Sequence, residues 1–78
     1  MNEFYWAIAT QYNPVDENGE VGLGVKWLLK NGELEPTGIN NPKVKLFDTE
    51  SDAMDYRDAF LDPRKCFPQK IHRDYIYI

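Results

Sequence analysis

The sequence predicts an α+β domain: an antiparallel sheet of four to five strands with one helix packed on a face, in the order β-β-β-β-α-β. Three observations lead there. Short runs of alternating residues, rich in aromatic and β-branched side chains, recur along the chain. An Asn-Gly pair, Asn31-Gly32, stands between two of these runs. One stretch before Pro63 carries apolar residues at helical spacing behind a capping sequence.

Phe4 to Tyr12 opens the chain as a strand, with Phe4, Trp6, Ile8, Thr10 and Tyr12 on one face and Tyr5, Ala7 and Ala9 on the other. The small alanines imply that something packs close to their face. Asn13-Pro14 ends the run, and a polar loop through Asp16, Glu17, Asn18 and Gly19 follows. From Val21 the alternation resumes through Leu29, with Gly22 and Gly24 leaving space that an aromatic of the first strand is expected to fill. Lys30-Asn31-Gly32-Glu33 predicts a type I′ hairpin, in which both central residues have positive φ. Glu33 to Pro36 is a short strand, 37–42 an irregular connection, and Lys43 to Phe47 a fourth strand with a basic outer face.

The helix begins at Asp48 or Thr49, where Thr49-Glu50-Ser51-Asp52 resembles a capping box with Asp in place of Glu. Ala53, Tyr56, Arg57, Phe60 and Leu61 form its inward face, with Met54 at the margin, and Asp62-Pro63 stops it. Residues 64–69 read as a linker containing Pro68, and Lys70 to Ile78 as a last strand, bulged near Arg73-Asp74 and placed inside the sheet by its apolar end.

Seventy-eight residues make one domain, 1–78. A chain this short buries about 60% of its unfolded surface, and one core supplies about 3–5 kcal/mol of net stability. Pairing of two copies through an edge strand would add to it, so a homodimer is one expectation. No run approaches the roughly 20 apolar residues that span a bilayer. The N-terminal Met1-Asn2-Glu3 is acidic, unlike a secretory signal. No membrane role and a cytoplasmic location are therefore expected.

Chemistry is sparse. Cys66 is the single cysteine, so no internal disulfide can form, and His72 is the single histidine. Arg64 and Lys65 precede Cys66, but no third group is spaced to orient a Cys–His pair, so an inert thiol is expected. One histidine cannot make a zinc site, the carboxylates lack the alternating loop of a calcium site, and Gly19, Gly22 and Gly24 do not precede a helix as in a phosphate loop. Neither enzyme activity nor a cofactor or metal is expected.

Charge is the clearest functional signal. The net charge is −4, and Asp48, Glu50, Asp52, Asp55, Asp58 and Asp62 crowd one stretch that holds a single Arg57. On a helix, Asp52, Asp55, Asp58 and Asp62 form a stripe opposite Ala53, Tyr56 and Phe60. Like charges at this spacing repel and weaken the helix slightly. A stripe kept against that repulsion reads either as a solvated face or as a docking surface for a basic protein. Tyr56, Tyr75 and Tyr77 are candidate aromatic anchors beside it. The alternative is a nucleic-acid module using Lys43, Lys45 and neighbouring cations with stacked aromatics. The acidic balance argues against nucleic acid, which needs a strong basic footprint.

The joint from Lys45-Leu46-Phe47 into Asp48-Thr49-Glu50-Ser51-Asp52-Ala53 resembles one found in many small β-β-β-α domains, including the arm-binding domains of phage integrases. Those domains are basic and this chain is acidic. In size, acidity and lack of a catalytic set, the whole chain is similar to small phage-encoded inhibitors of host defence, of anti-CRISPR and anti-restriction type. That likeness implies a binding protein of the host cytoplasm that occupies the basic surface of a nucleic-acid-handling host protein.

Overall fold

A computed structural model describes residues 2–76. Its elements are β1 (Phe4–Tyr12), β2 (Gly24–Leu28), β3 (Leu34–Glu35), α1 (Glu50–Phe60) and β4 (Cys66–His72), followed by a 3-10 turn at Arg73–Tyr75. The strands form one antiparallel sheet in the order β3-β2-β1-β4, with α1 against β1 and β4. The α+β class therefore holds, with one strand fewer before the helix than expected.

β1 is the organising strand. Its alternation divides the core in two. Ile8 is buried with Leu28, Ala53 and Cys66, and Trp6, Phe47, Tyr56 and Leu61 pack around them on the helix side. Ala7 is buried with Leu29 and Val44 on the opposite side, under Trp27, Ile39, Leu46 and Ile71. Ala53 is fully buried, and its methyl lets α1 approach the sheet closely. The space at Gly24 is filled as expected: a Cβ there would stand 2.5 Å from the Tyr12 ring of the cross-strand partner.

Lys43 to Phe47 keeps its alternation but is not a strand of the sheet. It makes only isolated bridges, Leu29 to Val44 and Trp6 to Phe47. The hydrogen bonds explain why. Lys30 N–H donates to Lys43 C=O and Lys45 N–H to Leu28 C=O, while Trp6 and Phe47 exchange both bonds at 2.8 Å. The segment is shared between the end of β2 and the start of β1. It bridges each of them at one position, so no ladder forms.

The last strand begins earlier than expected and lies on an edge, not inside the sheet. The span 64–69, read as a linker, contains the first half of β4, where Pro68 pairs with Ile8. Backbone groups along an antiparallel strand point alternately to its two neighbours. Trp6 points to Phe47, away from β4, so Ile8, two residues on, does the same. The missing N–H of Pro68 therefore faces the open edge, where proline is tolerated. Beyond His72 the expected bulge is replaced by the 3-10 turn, and Arg73 N–H still reaches Glu3 C=O at 2.9 Å.

Two further readings are corrected. The Asn31-Gly32 turn is not type I′, because Gly32 has φ +90° and Asn31 does not have positive φ. Gly32 N–H donates to Leu29 C=O, and Leu29 N–H to Glu33 C=O. This is a three-residue loop with glycine at its left-handed position. Phe60, placed on the inward helix face, is 72% exposed. It holds the last helical position, with Tyr56 on one side and solvent on the other.

Candidate functional site

α1 starts where the capping sequence places it. Thr49 is extended, and its hydroxyl accepts the Asp52 N–H at 3.1 Å, satisfying one of the first-turn donors. Glu50 and Asp52 lie in that first turn, where the helix dipole favours negative charge. Leu61 closes the helix through its N–H to Arg57 C=O at 2.9 Å.

The four stripe carboxylates have different surroundings. Asp52 and Asp55 are exposed, and among the described residues neither carboxylate has an ionic or hydrogen-bond partner. Asp58 is exposed and accepts from Arg57 Nε at 3.1 Å. Asp62 lies beyond the helix. Its carboxylate accepts Arg64 N–H at 2.9 Å and sits 3.5 Å from Arg64 Nε. Its carbonyl takes the Lys65 and Cys66 amides, so Asp62 builds the turn into β4. Glu50 adds a further exposed carboxylate at the start of the helix, without an ionic partner among the described residues.

The aromatic candidates separate as well. Tyr56 is half-buried in a row of rings, 5.6 Å from Phe47 and 4.8 Å from Phe60. The Lys45 ammonium lies 5.4 Å from the Phe47 centroid and 5.3 Å from that of Tyr56. The row runs from the core to the surface and ends in the exposed Phe60 ring. Tyr75 is 63% exposed, on the 3-10 turn rather than on a strand. Tyr77 lies outside the described residues. Phe60 and the marginal Met54 are thus the large exposed apolar side chains of the helix itself. Phe60 was readable only from its position, two residues before Asp62-Pro63, where a helix runs out of partners.

The remaining cations do not form one basic face. Lys26 lies over Tyr12 at 5.0 Å and Lys70 over Phe4 at 4.2 Å, so their attraction is spent on the domain's own rings. His72 is a structural link. Its Nδ1 accepts the Asp74 N–H at 3.1 Å, capping the 3-10 turn, and its Nε2 lies 3.7 Å from the Glu3 carboxylate. Cys66 is buried, and burial pushes its thiol above the ordinary value, which keeps it protonated and unreactive at neutral pH.

Among the described residues, no group of three or more His, Cys, Asp or Glu side chains could hold a metal ion, and no helix is long and apolar enough to cross a membrane. No family model matches the chain, and neither the curated proteins nor the solved structures compared with it give a significant match.

Proposed function

We propose that this domain is a protein-binding module that docks on the basic surface of a partner through α1. Carboxylates of Glu50, Asp52 and Asp55 steer the encounter, and Phe60 is the desolvated anchor. The observation that carries this reading is the Phe60 ring, exposed at the end of an acidic helix yet held in place by Tyr56. An exposed aromatic already ordered by a neighbour loses little freedom on binding, the property of an interface anchor. Unpaired carboxylates nearer the start of the same helix raise the association rate with a cationic partner more than they raise affinity. The partner chemistry that fits is a protein whose basic surface handles nucleic acid, and the most concrete form is a phage-type inhibitor of host defence, of anti-CRISPR or anti-restriction type.

The test starts with a pull-down from bacterial lysate at low and high salt, and continues with the captured protein in purified form. Phe60→Ala should weaken its binding by about 2 kcal/mol, roughly thirtyfold, as expected for an interface anchor. The double variant Asp55→Lys/Asp58→Lys should slow association most at low salt. Circular dichroism confirms that both variants fold. Wild-type binding by both would remove the helix from the interface and overturn the reading.

A further inference from the structure

Away from the exposed face of α1, the 30–31 turn and the 40–46 segment meet in two adjoining half-open concavities. One, of about 390 Å³, is lined by Leu29, Lys30, Asn31, Pro42 and Lys43. The other, of about 350 Å³, shares Lys30 and Pro42 and continues over Asn40, Val44, Leu46 and Ile76. Among the described residues, no carboxylate lines either one. In a chain of net charge −4, a cleft with two lysines and no acid stands apart from the rest of the surface.

The lysines are brought together by the backbone. Lys30 N–H donates to Lys43 C=O at 2.8 Å where 43–47 joins β2, so the two side chains leave neighbouring positions. Lys26, Lys45 and Lys70 lie over aromatic rings, and Arg57 and Arg64 hold carboxylates. Lys30 and Lys43 have no such partner among the described residues. The amides divide between structure and surface. Asn41 is committed on both ends, donating to Thr37 Oγ1 and accepting Lys43 N–H, each at 2.9 Å. Asn31 uses only its carbonyl, for Glu33 N–H at 2.9 Å, which leaves its two amide hydrogens available.

We infer that this cleft binds a small organic phosphate of the nucleotide class. The phosphate sits between the Lys30 and Lys43 ammonium groups and takes a further bond from the Asn31 amide. Charge-assisted bonds of this kind are the strong ones. The uncharged body lies in the adjoining concavity, against the aliphatic side chains of Val44, Leu46 and Ile76, with the Asn40 amide at its rim. Volumes of this size suit a small ligand, and an apolar lining with a few placed polar groups is the usual composition of such a site.

The experiment is an amide-shift titration of the full chain with adenosine monophosphate, inorganic phosphate, adenosine and a short single-stranded DNA, each separately. Shifts at Lys30, Asn31 and Lys43 with the monophosphate, weaker ones with phosphate alone and none with adenosine are expected. The double variant Lys30→Gln/Lys43→Gln should lose affinity about tenfold or more, the scale of one lost charge-assisted contact. Asp55→Lys/Asp58→Lys should leave the shifts in place, so this result stands apart from that for the helix surface. Equal binding by the folded double glutamine variant, shifts with the DNA alone, or no shifts at millimolar monophosphate would each overturn the assignment.

Discussion

The two Asn-Gly turns, Asp16–Glu20 and Leu29–Glu33, close on the same hydrogen bonds but lead into different structures. In each, the first residue's N–H donates to the last residue's carbonyl, and its carbonyl accepts the glycine N–H. Gly19 has φ +79° and Gly32 φ +90°. Around the first, every residue from 13 to 23 is exposed, and the flanking valines make one isolated bridge, Val15 to Val21. Around the second, Leu29 is buried and the ladder continues through Leu28 and Leu34. Turn chemistry reverses the chain equally well in both places. Whether a sheet follows depends on what the flanking side chains bury.

The largest expected contrast lies in those flanking residues. Leu28→Ala should cost about 3 kcal/mol of global stability in denaturant unfolding, because it empties a fully buried site. Val21→Ala should stay within about 0.5 kcal/mol, as a surface change does. An equal effect of the two would erase the distinction between arm and sheet.

Gly24 marks the boundary between them. Gly24→Ala drives a methyl into the Tyr12 ring, and a loss of about 2 kcal/mol is expected, as for other overpacked sites. A calorimetric melt unchanged from wild type would show that the ring moves aside freely.

The glycines at the turn positions give a finer test. Alanine at either must adopt positive φ, a local penalty of about 1–2 kcal/mol. Gly32→Ala should express it globally, since the second turn closes onto the core. Gly19→Ala should express it as faster amide exchange confined to residues 15–21, because the exposed arm opens by itself.

The smallest effect belongs to the turn side chains. The Asp16 carboxylate accepts two amide bonds, from Asn18 and Glu20, whereas Asn31 accepts one, from Glu33. Asp16→Ala should remove under about 1 kcal/mol, seen as lost exchange protection at Glu20 without a shift of the unfolding midpoint.

Much of the fold was legible because local pattern and tertiary partner agree. The aromatic alternation of Phe4 to Tyr12 matches β1, and Thr49 caps the helix as its sequence indicates. The misreadings share one physical origin: the identity of a neighbour is not written in a local pattern. Lys43 to Phe47 alternates like a strand, yet its hydrogen bonds are divided between two strands. Pro68 reads as a break, although its missing donor faces an open edge. Phe60 has core spacing, but it stands exposed at the end of the helix. For the candidate site, charge along the helix was visible in sequence. The loss of Asp62 to a turn, the exposure of Phe60 and the meeting of Lys30 with Lys43 all depend on contacts between distant segments.

The pairing of β1 with β4 also sets an order of events during synthesis. Phe4 lies opposite His72, and Thr10 opposite Cys66, so one of the two neighbours of the central strand is made only after the other strands and the helix between them. Contacts this far apart in sequence slow folding, because the intervening chain must be closed into a loop before they form. Until residues 66–72 leave the ribosome, the apolar side of β1 has no lasting cover on that flank, and the nascent chain carries it exposed.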